Sequence, residues 1–477
     1  MTARRPRPKT SPDDPDPPAR SPSSVRKYPR RRQTPEPVAR ASRAEARQQA
    51  CAVRRSICRP PMTDRLPAWS LFAALIAMAG LPIYIHAPKF YIDSYGTTLA
   101  AMGLTLAGLR LIDVVQDPLL GWLAERTRPR RRLTIAVATA LMAAAMLALF
   151  AVAPPVAPLA WFALSLTVLF SAFSFLTICF YAEGVNKAQT LGAQGHIRLA
   201  GWREGGSLLG VCLAATAPVA LASLTDRPFT AFALIFAAVS LAATLAMRRE
   251  WRGARAGPAS SPFDLFRPVL ADPLSRRLLL IALLNAAPVA VTSTLFLFFV
   301  ESRLALPGWE GPLLLLFFLA AAASTPLWSL LARRHGPRPV LLSAMVLAIA
   351  SFLWTLSLGS GDLIPFALIC AASGAALGAD LTLLPAIFAQ RLAQTGTPEA
   401  AAFGLWNFVS KLSLALAALT ILPALQTAGF RPGAANTESA LRALTLIYAG
   451  LPCVLKLTAI ALLARTRLDM TPKDAPR

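Results

Sequence analysis

LRLIDVVQDPLLGWLAERTRPRRR, residues 109–132, is apolar enough for a membrane-crossing helix, yet it carries three ionisable residues before it ends in a basic run. Arg110, Asp113 and Asp117 are spaced i, i+3 and i+7, so at 3.6 residues per turn they share one helix face. A charge at the centre of a lipid-facing helix costs ~2.5–3.5 kcal/mol on insertion scales, so this face belongs toward a bundle interior or a wet cavity. The closing run ERTRPRRR, residues 125–132, holds five arginines, the composition of a loop on the cytoplasmic side of a membrane.

Apolar runs of about 20 residues recur on both sides of this stretch, enough at ~1.5 Å per residue to cross a ~30 Å hydrocarbon core. Twelve are predicted: 66–86, 97–124, 133–152, 157–181, 199–222, 229–247, 278–300, 312–331, 340–358, 363–389, 402–425 and 443–463. Prolines inside them (Pro118, Pro288, Pro326, Pro385) are tolerated, because neighbouring helices can satisfy the freed backbone groups. The composition agrees: 55% of the 477 residues are hydrophobic and 15% charged, against about a quarter charged in soluble proteins. A single soluble domain is excluded.

The net charge of +24 would suggest nucleic acid on a soluble protein, but its location gives another reason. Residues 1–65 hold 17 Lys+Arg and 6 Asp+Glu; the even-numbered inter-span loops and the C-terminal tail hold 22 Lys+Arg, the opposite loops only Lys89, Arg227, Arg303, Arg431 and Arg442. By the positive-inside rule both termini are expected in the cytoplasm, and no nucleic-acid partner is expected. Six cysteines without CxxC spacing indicate neither a zinc site nor a disulfide framework.

The expected organisation is a Pro/Arg-rich leader over 1–61 with too little apolar content to repay ordering, a six-helix half over 62–247, a cytoplasmic linker over 248–277, a second six-helix half over 278–464, and a tail over 465–477. Met62 directly precedes the first apolar run, so translation is expected to start there as readily as at Met1, and no cleavable signal peptide is expected. The halves echo each other faintly: Leu123-Ala124 aligns with Leu331-Ala332 at an offset of 208, and Trp202 with Trp406 at 204. That supports a duplicated unit with substrate between the copies.

Eight ionisable residues fall within the spans: Arg110, Asp113, Asp117, Arg203, Glu204, Asp380, Lys411 and Lys456. Two carboxylates one turn apart raise each other's proton affinity unless a cation intervenes, which suits alternating occupancy by H⁺, Na⁺ or Li⁺. Lys411 has no local acid, so its partner is expected on another helix, Asp113 or Asp117 ahead of Asp380; near a cation site its ammonium can stand in for the ion. Asp380 follows Gly374 and Gly378 at GxxxG spacing, which permits close helix approach. Arg203 and Glu204 are adjacent, so they are expected to point to different faces without neutralising each other, and Lys456 is expected to snorkel or serve structure. Arg203, Asp380, Tyr181, Trp202, Trp406 and Asn407 are the substrate-binding candidates; Tyr84, Tyr181, Trp202 and Trp406 could stack a sugar ring, although interfacial anchoring is the commoner use of such residues. No metal cluster, phosphate loop or nucleophile arrangement points to an enzyme, and no cofactor is expected.

RLIDVVQDPLLGWLAERTRPRRR resembles the signature after the second helix of the glycoside-pentoside-hexuronide:cation symporters, the melibiose-carrier-like branch of the major facilitator superfamily. FYAEGVNKAQ, IRLAGWREGGSLLG, LGADLTLLPA and FGLWNFVSKL extend the likeness in order from 62 to about 470. The resemblance implies an all-α membrane fold of twelve transmembrane helices in two six-helix halves, a cation site at Asp113 and Asp117, and a match of Lys411 to an essential lysine of the eleventh helix; Arg110, on the same face as the two acids, is expected to share the charge coupling. It further implies that Arg203 lies near a sugar pocket, and that Gly121, Glu125 and Arg126 form a gating motif. The acids that melibiose-type carriers place in the first helix and mid-fourth helix have no counterpart; Thr177 stands near the latter point, and Gln390 replaces an Asp common in relatives.

The expected function is therefore cation-coupled symport of a small organic solute, a sugar or glycoside, by a monomer in the cytoplasmic (inner) membrane. Two alternatives stand beside it: a carrier of lysolipids or other amphiphiles on the same fold, and a non-transporting membrane assembly or regulatory protein.

Overall fold

The computed structural model describes residues 65–251, 262–431 and 436–466; the leader, Met62, Cys51 and Cys58 lie outside the described residues, as do most of the tail and the side chains of Tyr84 and Arg110. Among the described residues every regular element is helical. The fifteen α-helices are α1 Leu66–Met78, α2 Leu81–Tyr95, α3 Leu99–Arg126, α4 Arg131–Phe150, α5 Pro158–Thr190, α6 Gly195–Ala222, α7 Pro228–Met247, α8 Pro262–Ala271, α9 Pro273–Phe298, α10 Glu310–His335, α11 Pro337–Thr355, α12 Leu363–Thr395, α13 Glu399–Thr427, α14 Glu438–Thr445 and α15 Leu451–Ala464.

Ten described helices, counting α9 and α14–α15 through their π-helical turns, are long and apolar enough to cross a membrane. The other two expected spans are α3, 28 residues long with its charged face, and the α1–α2 pair. That pair corrects the expectation of one continuous first span over 66–86. Pro82 lacks the N–H that would bond the carbonyl of Met78, and Gly80 takes a non-helical conformation (φ −87, ψ −124), so the helix breaks and restarts. Several helices also run past the expected bounds: α5 and α12 each have 33 residues and project beyond a bilayer's apolar thickness.

Close helix approach is set by small residues. A Cβ on Gly374 would fall 2.2 Å from the carbonyl oxygen of Phe317, and one on Gly378 2.6 Å from that of Ala321, so only glycine lets α12 press against the backbone of α10. This is the contact expected from the GxxxG spacing.

Residues from the starts of α1, α9 and α11 and the ends of α3, α7, α12 and α15 converge on one face of the bundle, here called the terminal face. The largest apolar core includes residues of both halves there, among them Leu66, Ala124, Leu274, Ala332, Ala400 and Leu463. A separate core at the other end, from Ala290 to Ala449, consists of second-half residues alone. The halves are thus fused across the terminal face. The linker helix α8 packs on the ends of α3, α9 and α13.

Candidate functional site

Three layers of contact descend between the halves, from mid-bundle to the terminal face. In the first, the charged face of α3 meets α13. Asp117 is fully buried and Asp113 5% exposed. Lys411 Nζ donates to Asp113 Oδ1 at 2.6 Å and to Asp117 Oδ1 at 3.0 Å, and lies 3.0 Å from Asp117 Oδ2. It also donates to Ser174 Oγ on α5 at 2.7 Å and to the backbone oxygen of Asp113 at 3.3 Å. Gln116 steadies the cluster, its amide donating to Asp113 Oδ1 at 3.1 Å and its oxygen accepting from Ser171 at 2.7 Å. Of the two acids named for Lys411, the structure gives both, from the opposite half of the bundle. Asn407, one turn before Lys411, shares its helix face.

The second layer is aromatic. The Arg203 guanidinium rests 3.7 Å from the Tyr181 ring centroid, and Phe403 and Tyr181 pack with centroids 5.2 Å apart. Trp406 lies against Phe388 at 5.0 Å. Arg203 Nε donates to Glu204 Oε1 at 2.7 Å, and Tyr181 Oη donates to the same oxygen at 2.7 Å. This corrects the expectation that neighbours on a helix do not pair: the long guanidinium, drawn over the Tyr181 ring, curls back to an acid that the tyrosine also holds. Trp202, one residue before Arg203, is 44% exposed.

The third layer closes the terminal face. A Cβ on Gly121 would lie 3.0 Å from the Ala400 carbonyl oxygen and 3.2 Å from Cα of Gly404, so α3 and α13 cross backbone to backbone. Glu125 Oε1 accepts from the backbone N–H of Ala400 at 2.9 Å, capping the start of α13 from the opposite half. Arg128 lies 3.5 Å from Glu125 and 3.3 Å from Glu399. Arg126 instead sits exposed over Trp122 of its own helix, 5.6 Å from the ring centroid. The base that bridges the halves is therefore Arg128, not Arg126.

Asp380 belongs to none of these layers. It pairs with Lys456 of α15 inside the second half, and Lys456 Nζ also donates to Asn285 Oδ1 of α9 at 2.6 Å. Lys456 is 4% exposed and does not snorkel. Sequence reasoning missed Ser174, Ser171, Gln116, Arg128 and Asn285. For the first two there was a signal: Ser171, Ser174, Thr177 and Tyr181 form a polar stripe at helical spacing on α5.

A family model described as MFS/sugar transport protein matches residues 68–470. The chain belongs to this melibiose-carrier-like family of the major facilitator superfamily. Its fold matches a bacterial homologue of the iron transporter ferroportin in an outward-facing state at 15% identity and TM-score 0.62, covering 84% of this chain and 98% of that one. It matches the human organic anion transporter MFSD10 at 16% identity and TM-score 0.61, over 85% of this chain and all of that one, and the E. coli fucose:proton symporter at 14% and 0.59, over 84% and 98%. No curated protein matches the sequence. The protein is a multi-span integral membrane protein with the fold of major facilitator transporters, which are not enzymes.

Proposed function

We propose that the protein is a cation-coupled symporter of a small organic solute, a sugar or glycoside, working by alternating access in the cytoplasmic membrane with the terminal face inward. The observation that carries this reading is the ammonium of Lys411, contributed by the second half, held between Asp113 and Asp117 of the first. Two carboxylates and one ammonium sum to a charge of −1. One monovalent cation neutralises the cluster, and the carboxylate oxygens of Asp117, with Ser174 Oγ and Asp113 Oδ1, offer the oxygen ligands that H⁺, Na⁺ or Li⁺ prefers.

When the ion binds, Lys411 is released from the carboxylates, and the tie between the halves weakens. Coupling follows if only the cation-loaded, solute-loaded protein can pass through closure. Arg203, Tyr181, Trp406 and Asn407 lie near the solute path, with Arg110 on the same face of α3 as the two acids. Gly121, Glu125 and Arg128 hold the terminal face shut, Arg126 standing at its rim. Asp380 lies apart from the layers and is not assigned to the solute, while Trp202, part-exposed beside Arg203, stays a candidate for it.

A thermal-shift screen of purified protein against sugars, glycosides and lysolipids, with and without Na⁺, identifies the cargo: the expected hit stabilises more when the cation is present. Stabilisation by a lysolipid and no sugar would replace the solute class. In proteoliposomes, Asp117→Asn is expected to exchange that solute without concentrating it; a variant that still accumulates it against a gradient would overturn the coupling.

A further inference from the structure

The second half contains an ionisable cluster with no place in this scheme. Asp380 on α12, Lys456 on α15 and Asn285 on α9 meet where the chain is otherwise apolar, and both charged residues are more than nine-tenths buried. A buried ion pair is weak grounds for stability, since apolar residues of similar volume often serve as well or better. At membrane depth such a pair is by default functional.

Asp380 and Lys456 also border a cavity of ≈ 40 Å³ with Thr292, Ser373, Phe317 and Cys453. That is room for about three or four water molecules, each needing roughly 10–15 Å³ of such space. The hydroxyls of Thr292 and Ser373 spend their protons on carbonyls of their own helices, Pro288 and Ile369, so toward the cavity they can only accept. The carboxylate of Asp380 is a third acceptor on the lining. The lining is mostly apolar, and apart from Lys456 its few polar side chains can only accept, so a proton-bearing occupant suits them.

We propose that Asp380, Lys456 and Asn285 form a second proton-binding centre, separate from the Asp113–Asp117 site and enclosed in one half of the bundle. The proton reaches Asp380 Oδ1 from a hydronium in the cavity; an O–H bond forms on the carboxylate, one breaks on the hydronium, and a water molecule remains. The site's charge rises from zero to +1. Asn285 makes this tolerable, because its carbonyl still accepts from the Lys456 ammonium once the carboxylate is neutral. Among the described residues bordering the cavity from α9, α10, α11, α12 and α15, Cys453 is the other titratable group and no further charged side chain faces Asp380.

Infrared difference spectroscopy of the purified full chain on a step from alkaline to acidic buffer tests this without any solute. In Asp113→Asn/Asp117→Asn protein, a protonated-carboxyl band is expected that the further change Asp380→Asn removes. Asp380→Asn strands a buried ammonium and can impair folding, so Asp380→Asn/Lys456→Met, which deletes both charges, serves as the second variant and is expected to lack the same band. Lys456→Met alone leaves the carboxyl without its ammonium, so the Asp380 band should appear at a more alkaline pH. Spectra in which no carboxyl band depends on Asp380 would make the pair a fixed structural element and overturn the proposal. The symport reading stands or falls separately, on Asp117→Asn accumulation.

Discussion

Lys411 and Lys456 each bury an ammonium against a carboxylate in the membrane interior, but their surroundings differ. Lys411 crosses from one half to the other and faces two acids, so its cluster is short of one positive charge and its geometry depends on how the halves meet. Lys456 faces one acid and an amide within a single half, so its charges balance and the pair travels with that half as a body. The contrast teaches that the same residue types serve different ends according to whether the pair is balanced and whether it bridges moving parts.

The largest expected effect falls on the bridging cluster. Lys411→Ala leaves two carboxylates buried face to face, a change in the class that costs about 3–5 kcal/mol. Accumulation in proteoliposomes should fall by about a hundredfold or more, and equal accumulation by variant and wild type would remove the basis for contrasting the two lysines. Next comes the balanced pair: Asp380→Asn alone should destabilise by a similar amount, about 3–5 kcal/mol, while Asp380→Asn/Lys456→Met should recover most of that loss in a double-mutant cycle read by thermal unfolding. For Asp113→Asn/Asp117→Asn/Lys411→Met the same stability recovery is expected, but not recovery of transport.

Gly121→Leu should prevent α3 and α13 from touching, shifting the population toward an open terminal face; spin-label distances between the ends of α3 and α13 would lengthen. A smaller shift, of about 0.3–1 kcal/mol, is expected for Glu125→Gln, which keeps an acceptor for the Ala400 amide but drops the charge that favours a helix N-terminus.

The smallest effect concerns pH at the linker. Burial pushes the Asp272 carboxyl up, but two hydrogen bonds from Arg391 and those from Ser275 outweigh it and hold the group below the ordinary carboxylate range. A carboxylate depressed on folding contributes stability above its unfolded value of about 3.9, and that contribution fades as pH falls through the folded value. Thermal unfolding should therefore decline more steeply for wild type than for Asp272→Asn once the pH drops below about 4. Parallel curves would show the contact to be inert.

The spacing of Arg110, Asp113 and Asp117 was legible because a single helix fixes which side chains share a face. Lys411 was legible as an outlier, and its partners followed from charge alone. For Asp380 a lysine partner was expected but not which one, since Lys456 lies 76 residues away on a helix whose rotation no local pattern sets. Arg203 and Glu204 were misread because the directions of Cβ atoms govern short side chains, whereas a guanidinium on a long stem can turn back toward its neighbour. Arg128 was overshadowed by Arg126 for a related reason: a run of arginines shows that a loop is basic but not which of them reaches across.

The Glu125 carboxylate seated on the amide of Ala400 gives the terminal face a dependence on hydration. While the halves touch, the first turn of α13 is completed by an oxygen it does not own. When they part, that amide, Glu125 and the guanidinium of Arg128 must each be handed to solvent together, so the face cannot open by a dry slide of one half past the other. Water has to arrive as the clasp lets go, and osmolytes that withdraw water should slow that movement.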